Sequence, residues 1–171
     1  MRIFSLCLFL AIGLSFTIVN GQKTSIKSAQ ISFEFVSKNV KGTISGFESE
    51  SSIDLGNLES SIFKGSVSSE TLDTNSGLRN WSLKSGKYFD ADDYPKISFE
   101  SNVARLEGEK LVVKGNLTIK ETSKQVTISF TRKENQLIGT TSLYSIDYGI
   151  KIKKKREDNL VKVKMVFYIN N

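Results

Sequence analysis

Histidine is absent from this sequence, and its one cysteine, Cys7, falls in a segment that reads as a removable leader. Past that segment there is no thiol nucleophile, no disulfide, and no imidazole for a zinc site or a Ser-His-Asp triad. A glycine-rich phosphate loop and a G-x-S-x-G elbow are missing as well. Asp90, Asp92 and Asp93 cluster, and paired carboxylates can hydrolyse glycosides. All three lie in one stretch beside Lys87, where turn formation and solvated charge account for them. The expectation is a protein that is not an enzyme and needs neither metal nor cofactor.

What is present begins with Met1 and Arg2, followed by an apolar run from Ile3 to Val19 and then Asn20-Gly21. A basic start, a short apolar run and modest residues at its end describe a secretory signal peptide over residues 1–21. Gly13, Ser15 and Thr17 interrupt the run and leave it marginal for spanning a bilayer. The reading is a periplasmic or secreted protein whose domain occupies residues 22–171. Without Arg2 the 24 basic residues become 23, and against 18 acids they leave +5. A basic balance suits nucleic acid, an anionic membrane face or simple solubility; export argues against nucleic acid.

The domain is patterned with a period of two. Ile31, Phe33 and Phe35 alternate with polar residues, and the pattern continues through Val40 and Ile44, Ile53 and Leu55, and Phe63 and Val67. It resumes after Pro95 with Ile97, Phe99 and Val103, then Leu111 to Ile119, then Val126 to Phe130. Tyr144, Ile146, Tyr148, Ile150 and Ile152 form a further alternating set, and Val161 to Ile169 the last. One dry face per segment and turn-sized connections such as Glu107-Gly108-Glu109 predict eight antiparallel strands in an all-β fold. Such strands close as a barrel or stack as a sandwich. Closure removes the edges that long strands would expose, so a closed barrel is expected.

One connection is not turn-sized. Thr71 to Tyr94 lacks alternation, and within it Asn75 or Ser76 can cap a short helix that ends at Gly86 and turns Leu78, Trp81 and Leu83 inward. A crossover of this length either carries function or plugs an open end.

Several blocks in this order resemble the YceI-like family: Leu72-Asp73-Thr74, Leu78-Arg79-Asn80-Trp81-Ser82-Leu83-Lys84-Ser85, Tyr88-Phe89-Asp90, Tyr94-Pro95 and Ile97-Ser98-Phe99-Glu100-Ser101. Val40-Lys41-Gly42, Val113 to Ile119 with Thr122 to Val126, and Asp147-Tyr148-Gly149-Ile150 resemble the remaining family blocks. The resemblance implies an exported lipocalin-like barrel that holds a polyprenyl chain or isoprenoid quinone in an elongated cavity, with the helix over its mouth. Three positions depart from the family pattern. Asn80 replaces an aspartate, Ser82 a histidine and Ser145 an arginine, which changes the polar groups available to a headgroup.

The inward phases nominate Phe33, Phe35, Phe63, Phe99, Leu117, Phe130, Met165 and Phe167 as cavity liners, with Trp81, Leu83 and Phe89 at the mouth. Each fits ordinary core packing equally well. The run Lys151-Ile152-Lys153-Lys154-Lys155-Arg156 reads as a solvated hairpin tip or as a contact for an anionic membrane surface. Asn80-Trp81-Ser82 and Asn116-Leu117-Thr118 match the glycosylation sequon, a motif too short to weigh. Two functions remain: an exported carrier of an apolar isoprenoid-like lipid or quinone, and an exported protein-interaction barrel with a filled core. The oligomeric state is open, a homodimer included.

Overall fold

The computed structural model describes residues 23–170, so the expected leader lies outside it. In chain order its strands are β1 (Lys23–Thr24), β2 (Ile26–Phe35), β3 (Val40–Ile44), β4 (Glu48–Ser49), β5 (Ile53–Asp54), β6 (Lys64–Ser68), β7 (Lys96–Glu107), β8 (Lys110–Ile119), β9 (Thr122–Lys133), β10 (Gln136–Tyr144) and β11 (Leu160–Ile169). Among the described residues a single α-helix, α1 (Gly77–Lys84), interrupts the strands.

Nine of these segments form one antiparallel sheet in the order β3-β2-β11-β10-β9-β8-β7-β6-β4. The two segments at its ends, β3 and β4, are consecutive in the chain and separated only by Ser45-Gly46-Phe47. Residues 40–49 are therefore one bent strand whose first half pairs with β2 and whose second half pairs with β6. Gly46 makes the bend with φ +68, a backbone state that side chains resist, and Ser68 N donates to Ser45 O across it. Counted this way the sheet is the expected eight-stranded antiparallel barrel, closed through its own bent strand.

Hairpins hold the register. Glu107 and Lys110 flank the Gly108-Glu109 turn, and Lys133 and Gln136 flank Glu134-Asn135. The last strand returns beside the first long one, pairing Val163 with Phe33 and Met165 with Ile31. Inward side chains on neighbouring strands thus face one another, the arrangement that stabilises a sheet.

The barrel has two different ends. At one, β1 and β5 form a separate two-stranded cap, with Thr24 opposite Ile53. Ile53 is fully buried against a core cluster that includes Phe63, Phe130, Leu137, Met165 and Phe167. Ile53 and Leu55 were expected in a barrel strand. Only Ile53–Asp54 is extended, and it caps the end instead of joining the wall. The other end carries the crossover 69–95 with α1, and the loops 36–39, 145–159 and 120–121.

One expected strand is absent. Tyr144 to Ile152 alternates, yet Ser145–Tyr148 is a 3-10 turn closed by Gly149 at φ +77. Ile150 N donates to Ser145 O, and Ser145 Oγ donates back to Ile150 O at 2.8 Å. The segment wraps inward over the barrel end and buries Tyr148 and Ile150 there. The strand in this region is β10, whose inward positions Leu137, Gly139, Thr141 and Leu143 include small and hydroxyl residues and so hide the alternation.

Candidate functional site

Inside the barrel lies a cavity of about 610 Å³, within the range typical of small-molecule sites. Its floor is aromatic. Phe63 stacks on Phe130 with ring centroids 5.0 Å apart, Phe167 lies 5.7 Å from Phe130, and Phe47 stacks on Phe167 at 5.3 Å. Offset aromatic contacts of this kind add to the area term and fix the rings in place. Phe63, Phe130, Met165 and Phe167 all touch the cavity while being 8% exposed or less, so this half of the lumen is packed.

Toward the helix end the lumen is hollow. Phe33, Phe99, Leu117 and Val163 point inward, opposite one another across the ladders, and remain only half-buried. All four line the cavity, and Phe33 and Val163 also border a groove on the outer face of the sheet. A filled core would bury them as it buries Phe130, so the structure separates a packed floor from an open upper chamber.

Ten of the eleven sequence-nominated residues line this cavity: Phe33, Phe35, Phe63, Leu83, Phe89, Phe99, Leu117, Phe130, Met165 and Phe167. Trp81 does not. It is 73% exposed, and its helical neighbour Leu78 is 80% exposed. The helical period explains the correction, since Arg79, Ser82 and Leu83 share the face turned to the cavity and leave residues 78 and 81 on the other side. Sequence reasoning missed Ile31, Val161 and Val163, which share the inward phase of Phe33 and Met165 on the same strands, and also Phe47 and Leu143, which lie on strands where it chose no residue.

Polar groups meet the cavity chiefly in two places. Along the seam between β4 and β6, Ser51 Oγ donates to Lys64 O and accepts from Lys64 N, so that seam is internally satisfied. At the helix end stand Lys38, Arg79, Ser82 and Ser145. Arg79 donates one bond to Thr74 O at 3.3 Å, and Ser145 is committed to Ile150 O. Asn80 faces away from the lumen. Its Oδ1 accepts from Thr74 N and Thr74 Oγ1, and its Nδ2 donates to Asp73 Oδ1 at 2.8 Å. The Asn80 amide, and after it the Asn75 N–H, hold the Asp73 carboxyl below the usual range, and the Asn80 bonds anchor the start of α1, where Ser76 occupies the cap position without capping through its side chain.

The basic run 151–156 is a loop and not a strand end. Asn159, fully buried, organises it: Oδ1 accepts from Ile152 N and Lys153 N, while Nδ2 donates to Lys153 O and Lys155 O. Arg156 is bound to Asp147 by two bonds of 2.9 and 2.5 Å and lies 3.8 Å over the Tyr144 ring. That guanidinium lowers the Asp147 carboxyl below its ordinary value. Asp90, Asp92 and Asp93 lie outside the cavity walls. Among the described residues no cluster of three acidic, cysteine or histidine side chains could hold a metal ion.

Comparison with known proteins fits this geometry. Residues 19–170 match the YceI-like domain. The chain belongs to the YceI-like family. Relatives include the UPF0312 protein plu2095 of Photorhabdus laumondii, 33% identical over 88 residues, and the UPF0312 protein VC_A0539 of Vibrio cholerae, 28% identical over 124. The alignments cover 52% and 66% of this chain, and 46% and 66% of those relatives. Among solved structures, Burkholderia cenocepacia BcnA superposes with a TM-score of 0.71 at 17% identity, covering 84% of this chain and 96% of that one. A polyisoprenoid binding domain from Saccharophagus degradans gives 0.58 at 12% identity, with coverage of 86% and 97%. At these identities the likeness is one of fold, and it bears out the YceI-like barrel.

Proposed function

We propose that this protein is an exported carrier or reservoir for a long, apolar isoprenoid-like lipid, a polyprenyl chain or an isoprenoid quinone, and acts by binding and not by catalysis. The observation that carries this reading is the half-buried state of Phe33, Phe99, Leu117 and Val163 on the walls of an apolar cavity inside the barrel. A tail laid against these walls leaves water at a gain of about 0.8 kcal/mol per buried CH₂. The tail runs toward the Phe130 floor and the headgroup stays at the helix end, near Arg79 and Ser82.

A structural neighbour described as a polyisoprenoid binding domain supports the ligand class. The apolar run behind Arg2 supports export, and the Lys151–Lys155 loop supports contact with an anionic membrane surface. The walls supply shape and apolarity with few hydrogen-bonding groups, which suits a family of chain-like ligands better than one rigid molecule.

Extraction of the purified protein with organic solvent, followed by mass spectrometry, tests the reading. A stoichiometric lipid with repeating five-carbon units is expected. A protein that purifies empty and takes up neither polyprenol nor quinone overturns it.

A further inference from the structure

Among the described residues Leu78 and Trp81 are the two most exposed large apolar side chains, at 80% and 73%. They are three apart on α1 and therefore adjacent on one face. The opposite face of the same helix, through Arg79, Ser82 and Leu83, lines the cavity. One eight-residue helix thus carries cavity-lining residues on one face and an unpartnered apolar pair on another.

We propose that this pair is a membrane anchor: Leu78 and Trp81 insert into the interfacial layer of an anionic bilayer, and the Lys151–Lys155 loop holds the barrel end against its headgroups. The inference rests on the carrier reading, because a ligand insoluble in water must leave and rejoin a bilayer, and the anchor sits on the helix that covers its cavity.

Three observations favour a bilayer over a protein partner. First, size: two side chains bury a few hundred Å² at most, whereas a stable protein interface needs roughly 800 Å² per partner. Second, type: tryptophan beside leucine, with basic residues near, is the composition of interfacial anchors. Third, charge. Lys151, Lys154 and Lys155 are exposed, and neither they nor Lys153 pair with an acid among the described residues. The loop belongs to the same end of the barrel, since Ile150 and Ile152 pack in one cluster with Tyr88 and Phe89 from the segment following α1. Asn159 fixes the loop's backbone, so its lysines are presented by a braced surface. Acids lie at this end as well, Asp90 and Asp93 beside Tyr94, whose hydroxyl is bound to Glu121, and Glu157 and Asp158 after the basic run, so the attraction to headgroups is local to Lys151–Lys155.

Trp81 is the only tryptophan in the chain, which makes the test direct. The protein is mixed with vesicles of phosphatidylcholine containing about one third phosphatidylglycerol, and tryptophan emission is followed with and without brominated acyl chains. The expected result is a blue shift and bromine quenching on the anionic vesicles, both weakened by salt. Leu78→Asp should lower vesicle affinity roughly tenfold, and Lys153→Gln with Lys154→Gln and Lys155→Gln should lower it by roughly a hundredfold and flatten the salt dependence. Both variants alter exposed or loop side chains; the β-type circular dichroism spectrum should be unchanged.

Emission that stays solvent-like on the vesicles overturns the anchor. So does a blue shift that grows with protein concentration in their absence, which would mean that a second copy covers the pair. The same preparation is extracted for bound lipid. Lipid found without docking removes the anchor alone, and docking with an empty cavity that takes up no lipid removes the carrier reading alone.

Discussion

The ring of Phe130 lies across Gly139 on the neighbouring strand, so close that a Cβ at position 139 would stand 2.5 Å from its Cε1 and 2.8 Å from Met165 Cγ. Gly42 stands in the same relation to Phe33, and Gly115 to Phe99, whose Cζ would be 2.5 Å away. All three glycines hold inward positions on the wall. Each lets an aromatic ring fold flat against its neighbour strand and not project into the lumen. The chamber is hollow in part because these rings have somewhere to lie.

Gly139→Ala should therefore push Phe130 and Met165 toward the cavity floor. Overpacking of this kind costs about 1–3 kcal/mol, read as a lower urea midpoint at an unchanged slope. Ligand capacity should fall with it. Gly77, at the start of α1 with nothing within 4 Å, is the control. Alanine there should change stability by less than about 1 kcal/mol.

Charge placed in the chamber separates binding from folding. Phe99 faces the cavity half-buried, so Phe99→Glu leaves its carboxylate in contact with water in the empty protein. A lipid tail would strip that water, at a cost of several kcal/mol for an unpaired charge. The expected outcome is a native circular dichroism spectrum with no lipid recovered on extraction. Phe130→Glu should instead prevent folding, because Phe130 is 1% exposed between Phe63 and Phe167.

The contrast between these two phenylalanines marks what the sequence could convey. Period-two alternation identified both as inward, and it identified the barrel, its hairpins and the long crossover. It could not tell the packed floor from the open chamber, because that depends on how closely side chains from distant strands pack around each ring. Local pattern also misled at two places. Tyr144 to Ile152 alternates like a strand while the chain turns inward at Gly149, and β10 is masked by Gly139 and Thr141 at its inward positions. The hydrophobicity of Trp81 predicts an inward side chain, and the helical phase set by Arg79, Ser82 and Leu83 turns it out. The seam through residues 40–49 depends on pairing across distant strands, which no local window contains.

Asn159 is the buried side chain on which the basic loop hangs. Its amide makes four bonds to the backbone of residues 152, 153 and 155, each between 2.6 and 3.0 Å. Asn159→Ala removes all four and leaves the amides of Ile152 and Lys153 without that acceptor. Stability should drop by about 2–3 kcal/mol in urea titration, the range for abandoning buried hydrogen-bonding groups. Hydrogen exchange of the Ile152 and Lys153 amides should accelerate more than that of β11. Uniform acceleration across the barrel would show instead that the loop and the wall open together.

Tyr148 gives the fold an alkaline limit. Burial raises its hydroxyl to about 12, with a further upward push from the Asp147 carboxylate, whereas an unfolded tyrosine ionises near 10. Between those values the unfolded chain releases the proton and the folded one keeps it, so rising pH favours unfolding. The contribution is fully present below about pH 10 and is lost as pH climbs toward 12. Tyr94, bound to Glu121 and also raised to about 12, adds to the same limb. Tyr148→Phe should therefore flatten, without abolishing, the fall of the urea midpoint above pH 10, and absorbance titration at 295 nm, a wavelength at which about all tyrosinate absorbs, should lose one late-ionising tyrosine. An unchanged alkaline limb in Tyr148→Phe would assign the effect to Tyr94 and the lysines, and would remove Tyr148 as the group that the inward turn of residues 145–149 shields.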